Sequence, residues 1–309
     1  MARTSYALTA ADRRPLPPAY RTEPRHLGYR GTELDRPFAG YMATATSPVQ
    51  PHVPDVLAAG PSPARLAYDV DEASARLSRP GYDPLETGWA ELPGGVLFVS
   101  TLTDMPGVTA SMWDWWFGWH STDTARYKLW HPDAHQFTTI GEDRSGDRTL
   151  TDRQRYIGNV SYVDEYIGAD LHRLAIRFVD PSSLGLADRV GTTHICARVT
   201  LSDLPVAIGW LVHQVRPTDS GSEMRSRFFL RHFELMALSA RSLAPGVRGR
   251  ALSALPGPVR AGVNRVLPVV GSRLTPSTLC HDMVEHCAAE MNHLASFLPS
   301  LHAEFGDVP

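Results

Sequence analysis

An α+β fold is what this sequence predicts. Two observations carry the prediction: five strand-like segments follow one another between residues 157 and 233, and one long amphipathic helix closes the chain from about Ser277 to Phe297. A third bounds it: 43% apolar and 20% charged residues describe an ordinary globular protein. At 309 residues the chain suits one large domain or two modest ones.

Residues 1 to about 65 are rich in Pro, Arg and short polar residues and read as an extended arm, with a short helix near Val53 to Ala59. Such an arm either wraps the body or a second subunit, or is a partly disordered tail. The body then spans about 66 to 305. Val70 to Leu77 suits a short helix. Gly94 to Leu102 is β-branched after a Gly-Gly turn, hence a strand. Thr109 is a good N-cap for a helix running through Trp119. In that helix Trp113, Trp116 and His120 share one face and Trp115 and Trp119 another, so two faces are covered. Gly141 to Thr151 is a polar loop. The strand candidates are Ile157 to Ile167, Leu174 to Val179, Thr193 to Leu201, Val206 to Val215 and Glu223 to Phe233. A short helix is expected over Glu234 to Ser242. Leu243 to Pro276, broken by Pro and Gly, suits a lid or crossing segment, with Gly257 to Gly271 as the lid. Strands in series before one long helix can form a cup: a curved antiparallel sheet wrapped round the helix with a cavity between them, a helix-grip arrangement.

Charge and composition exclude some functions. A net charge of −3 gives no electrostatic case for nucleic acid. Three cysteines without CxxC spacing make no disulfide framework and fit a reducing cytoplasm. The N-terminus has no apolar run of a secretory signal, and the most apolar later segment, Val206 to Val215, is too short for a membrane helix.

Chemistry-bearing residues gather in a few places. Met112 to His135 holds five of the seven tryptophans and three of the thirteen histidines, including His131 and His135, with Tyr127 one or two turns earlier. Such a block is either an aromatic core or the wall of a ligand pocket. The C-terminal helix carries two His-xxx-Glu pairs, His281 with Glu285 and His286 with Glu290. Measured from the centre of the apolar row, Glu290 lies roughly 70° away, His286 roughly 110° and Glu285 roughly 150°. His286 and Glu290 therefore flank the core, and His281 with Glu285 looks to solvent. Glu165 is the third candidate. It and Asp164 point to opposite faces of a strand, so one of them faces inward. A buried carboxylate needs a partner, either a cation or an arginine such as Arg225 or Arg227. Two histidines and two carboxylates would suit a divalent metal such as zinc.

The motifs MPGVTASMWDWWFGWHSTDTARYKLWHPDAH, YVDEYIG, EMRSRFF and HCAAEMNHLASFLP, in this order, resemble the 2,4-diacetylphloroglucinol hydrolase family, which includes phloretin hydrolases. The resemblance spans about residues 65 to 305. It implies a zinc-dependent hydrolase that cleaves the carbon–carbon bond between an acyl group and a polyhydroxylated aromatic ring. The products would be a carboxylic acid and the deacylated phenol. It also implies a helix-grip fold like the START domains, an N-terminal portion used in dimerisation, and hence a homodimer. The family's metal ligands carry over onto His135, Glu165, His286 and Glu290, with His131 an alternative to His135. Its substrate-contacting tyrosine carries over onto Tyr127 and its histidine onto His232. Trp113, Trp116, His131 and Phe229 are then expected to line the substrate pocket. An Asn expected shortly after the first metal histidine is missing, since positions 136 to 139 read Gln-Phe-Thr-Thr. The competing reading is a non-catalytic carrier of an aromatic or apolar small molecule, because helix-grip cups also bind ligands without reacting with them.

Overall fold

The computed structural model describes residues 4–308, so the first three residues of the arm lie outside it. Its strands are β1 (Gly88–Glu91), β2 (Leu97–Pro106), β3 (His135–Ile140), β4 (Val160–Ile167), β5 (Asp170–Val179), β6 (Thr193–Leu201), β7 (Val206–Thr218) and β8 (Gly221–Leu235). Its helices are α1 (Ala19–Thr22), α2 (Val53–Ala59), α3 (Ala73–Leu77), α4 (Ala110–Trp119), α5 (Thr124–Trp130), α6 (Asp152–Tyr156), α7 (Val247–Ser253), α8 (Gly257–Leu274), α9 (Thr278–Ala295) and α10 (Leu298–Phe305). The eight strands form one antiparallel sheet in the order β1-β2-β8-β7-β6-β5-β4-β3. None of the described helices is long and apolar enough to cross a membrane.

Side chains alternate across a strand, and each face of this sheet has its own cover. The inner face meets α4, α5 and α9: Val99, Leu211, Phe228 and Leu230 share one core with Trp113, Trp116, Met283, Cys287, Met291 and Leu294. Each large apolar side chain buried there contributes roughly 1.5–3 kcal/mol. The outer face carries Phe98, Val212 and Phe229 against Tyr68, Val70 and Leu77. Further along it, Ala11, Leu16 and Tyr20 of the arm cover Phe137, Tyr162 and Ala175. The arm is fastened by polar contacts too. Arg177 donates to Asp12 at 2.5 Å with both side chains buried, Tyr20 and Ser202 share a hydrogen bond of 2.8 Å, and Arg25 reaches Asp164 at 2.7 Å. The aliphatic and aromatic segments alone would not have located it.

Thr109 caps α4, its hydroxyl accepting from the Met112 N–H. The two aromatic faces of this helix are buried, as its spacing demands. Two strands were not expected. β1 is only four residues long, and β3 opens on a bulge between His135 and Phe137 that interrupts alternation. The expected helix over Glu234 to Ser242 is a correction: β8 runs on to Leu235, with Glu234 opposite Ala207, and only Ala240–Ser242 makes one tight turn. Arg231, at φ 66°, is what lets the strand absorb extra residues opposite the Ala207/Gly209 register shift. Its guanidinium is held by the Thr275 carbonyl at 2.7 Å and by Glu91 at 3.0 Å. Between β8 and α9 the chain is mostly helical, α8 continuing through Pro268.

Candidate metal centre and cavity

His135 enters the site from the turn His131-Pro132-Asp133-Ala134, closed by N–H bonds of Ala134 and His135 to the His131 carbonyl at 3.0 and 2.8 Å. Its ring lies flat on Tyr127, with centroids 3.8 Å apart and planes 2° from parallel. Its Nδ1 is 3.0 Å from the Tyr127 carbonyl oxygen and so carries the proton, which leaves the Nε2 lone pair free. That Nε2 is buried and has no hydrogen-bond partner. Fixing the far nitrogen of an imidazole in this way is what orients a histidine toward a metal.

Glu290 lies one helical turn beyond His286 on α9. Its Oε2 is 3.5 Å from His135 Nε2 and 3.7 Å from His286 Nε2. One ligand atom from each of His135, His286 and Glu290 falls within 4.8 Å of the others, and all three residues are buried. Glu165, opposite His135 in the β3–β4 register, brings its Oε2 to 3.7 Å from His135 Nε2 and accepts a very short hydrogen bond from the Tyr127 hydroxyl. Burial pushes the Glu165 carboxyl up to about 7, and burial followed by the charge of Glu165 raises Glu290 well above the usual range. Burial also lowers both imidazoles, His135 and His286, well below their ordinary value. Neutral imidazoles with free lone pairs beside two crowded carboxylates form a donor set that a divalent cation would satisfy. The residues present therefore fit such an ion.

The remaining expected residues fall in different places. His131 Nδ1 is bonded to Thr46 Oγ1 at 2.7 Å, and its ring stacks on His286 at 4.8 Å, outside the three-residue cluster. His281 is partly exposed and Glu285 exposed. Asp164 faces the other side of β4, toward Arg25. Arg225 and Arg227 do not meet Glu165; they bind Glu86 and Asp83 on the outer face. His232 is a correction. The bulge at Arg231 turns it outward, where its Nε2 bonds Asp69 at 2.6 Å.

Beside the cluster runs a cavity that gives about 110 Å³ to the centres of water-sized molecules, room for several waters. Most of its wall is hydrocarbon. Phe117, Tyr127, Trp130 and Phe228 supply part of its aromatic surface, with Phe178 and Trp210, and Leu279 and Met283 part of its aliphatic surface, with Glu165, His286 and Glu290 in its wall. This corrects the expected pocket. Trp113 and Trp116 are fully buried behind Trp130, at centroid distances of 6.1 and 6.0 Å, and Phe229 packs outward with Tyr68 and Phe98. Neither they nor His131 line the cavity.

Sequence reasoning missed His213. It lines the cavity from β7, its Nδ1 bonded to Ser226 Oγ at 2.8 Å, and burial pushes its pKa down to about 3. The signal was present: in VAIGWLVHQV it shares the inward parity of Leu211. His120, also in the wall, is fixed by the Trp116 carbonyl at 2.7 Å.

Comparison with known proteins places this geometry. A family profile described as DAPG hydrolase PhiG domain matches residues 69–303. A 2,4-diacetylphloroglucinol hydrolase of Pseudomonas sp is 33% identical over 239 residues, covering 75% of this chain and 75% of that protein. The protein of the same name from Pseudomonas protegens is also 33% identical over 239 residues, covering 75% of this chain and 72% of its own length. Phloretin hydrolase from Eubacterium ramulus is 26% identical over 289 residues, 91% of this chain and 94% of the relative. With the profile spanning the sheet, the cavity and α9 together, the chain belongs to the DAPG hydrolase family.

Proposed function

We propose that this protein is a metal-dependent hydrolase that cleaves the carbon–carbon bond between an acyl group and a polyhydroxylated aromatic ring, built as a helix-grip cup around α9. The observation that carries the reading is the meeting of His135, His286 and Glu290 within 4.8 Å at the wall of a largely hydrocarbon cavity. The relatives, named for 2,4-diacetylphloroglucinol and phloretin, supply the bond class. His135, His286 and Glu290 would hold the ion, with Glu165 as the fourth ligand; nitrogen and carboxylate donors favour zinc. Such an ion, when bound, polarises a carbonyl and acidifies water.

The rest falls to the chain's own groups. In the overall reaction the acyl–aryl bond breaks, the oxygen of water joins the acyl carbon, and a proton replaces the acyl group on the ring carbon. Trp130, Phe117 and Phe228 offer faces for the flat ring and exclude bulk water. Tyr127 donates to Glu165 and so fixes the carboxylate that flanks His135. His213, its Nδ1 tied to Ser226, has Nε2 left to hold a phenolic oxygen and pass the proton to the ring carbon. The test is incubation with acylphloroglucinols of several acyl lengths, with and without chelator, reading the freed carboxylic acid and phenol by chromatography. Turnover abolished by chelator and restored by zinc is expected. Undiminished turnover in chelator would overturn the proposal.

A further inference from the structure

Charge is segregated in this chain. Residues 235–281 contain six arginines and no Lys, Asp or Glu, so this stretch carries +6 and leaves −9 for the remainder of a chain whose total is −3. The stretch contains α7 and α8. Arg248, Arg250 and Arg265 are exposed and Arg260 partly so, and among the described residues none of the four is in an ion pair.

α8 also has two distinct faces. Its inner face is fastened to the end of β8: Asn264 accepts from the Leu235 N–H at 2.6 Å and donates to the Leu235 carbonyl at 3.2 Å, and Gly271 lies against the Phe233 ring. On the outer face Val259, Val266 and Val270 are 48%, 57% and 51% exposed. At about 100° per residue they fall within an arc of roughly 40°. Val247 of α7 is 76% exposed beside Arg248. A convex apolar ridge flanked by cations is the pattern of a helix lying in the plane of an anionic lipid surface.

We infer that α7 and α8 form a docking surface for an anionic lipid bilayer, with the valine ridge entering the interface and Arg248, Arg250 and Arg265 meeting the headgroups. A second copy of this chain fits less well. A two-fold contact would set the same arginines against one another with no carboxylate in the stretch to separate them. The position also bears on ligand entry: α8 leads through Thr275 to Ser277 into α9, whose partly buried Leu279 lines the cavity. Docking would bring that end of the cavity near the membrane, where an apolar acyl phenol concentrates.

The test is co-sedimentation of the full chain with vesicles of phosphatidylcholine alone or with about one third phosphatidylglycerol, at low and high salt. Each arginine near an anionic surface strengthens binding about five-fold. Binding should favour the anionic vesicles by at least tenfold and fall steeply in high salt. Val266→Asp with Val270→Asp should weaken it about tenfold. Arg248→Gln with Arg265→Gln should weaken it about 25-fold and serves as the second variant, with circular dichroism melts checking that each folds. Equal partition onto neutral and anionic vesicles, or no binding to either, overturns the inference. So does an α8-dependent dimer in light scattering, or binding to an acidic protein alone.

Discussion

Glu86→Gln tests the packing logic of the outer face. Arg225 and Arg227 are buried, at 1% and 0% exposure, and both depend on Glu86. Arg225 donates to its two oxygens at 3.0 and 2.6 Å, and Arg227 makes a very short contact with one of them. Asp83 is the other carboxylate near them, at 2.9 Å from Arg225 and 3.8 Å from Arg227. The amide keeps the volume and removes the charge, so two buried cations would share one anion. Breaking a buried pair typically costs 3–5 kcal/mol. With Asp83 remaining, about 3 kcal/mol is expected, a large part of a total stability of roughly 5–15 kcal/mol. The assay is urea unfolding followed by tryptophan fluorescence, where the midpoint should fall with the slope unchanged. A second signature follows from titration. Burial alone would raise the Glu86 carboxyl, but hydrogen bonds from Arg225 and the charge of both arginines hold it at about 2. Because the folded value is depressed, its stabilisation is present above the ordinary 4.5 and is lost as pH falls toward about 2. Wild type and variant should therefore converge over that window. A loss below about 1 kcal/mol at neutral pH, where a surface pair would fall, would show that the two arginines do not depend on the Glu86 charge.

Other expectations can be checked alongside it. Burial holds His120 and His213 at about 3 and His194 at about 4, below their ordinary 6.5, so the unfolded chain binds protons first and stability should fall as pH drops below 6.5. At one unit below, each contributes up to about 1.4 kcal/mol of destabilisation, while Glu165, raised to about 7, and Glu290 act in the opposite sense; the check is therefore His213→Gln, whose urea midpoint should fall less between pH 7 and about 5 than that of the wild type, and identical pH profiles would contradict this. Gly221→Ala should lower stability by about 1–3 kcal/mol, since a Cβ there would lie 2.4 Å from the Gly107 nitrogen at a φ of +154°; an unchanged melting temperature would show that the β7–β8 turn relaxes freely. Tyr127→Phe removes the donor to Glu165. Turnover of an acylphloroglucinol should drop about 100-fold or more while bound metal stays, and equal loss of metal would make Tyr127 a structural prop for the ligands.

Much of the fold is legible because periodicity is a local property. The strands at Thr193–Leu201 and Val206–Thr218 and the helix Ala110–Trp119 lie where alternation, helical spacing and an N-cap put them. His286 and Glu290 are legible for the same reason, since the apolar row of α9 fixes which polar residues flank the core. What escapes is whatever one bulge decides. Arg231 at positive φ reverses the parity beyond it, so His232 leaves the side on which Phe228 faces the cavity. Phe228 and Phe229 are adjacent in sequence and on opposite faces, and only the register with β2 and β7 separates them. Glu165 and the two arginines of MRSRFF read as partners until parity sends them to different sides of the sheet. The tryptophan block is conspicuous in sequence, yet most of it forms the layer behind the cavity wall, because a helix buried on two faces has only a narrow strip left for a ligand.

Under the proposed function, His135, Glu165, His286 and Glu290, drawn from distant segments of the chain, hold one cation. Metal analysis of the purified full-length protein, paired with Glu290→Ala and His286→Ala variants that still unfold cooperatively, addresses it most directly. One equivalent of zinc per chain, lost in both variants together with turnover, is the predicted result. Protein that carries no metal, gains none on incubation with zinc and still cleaves an acyl phenol, or that binds one without cleaving it, would contradict the account.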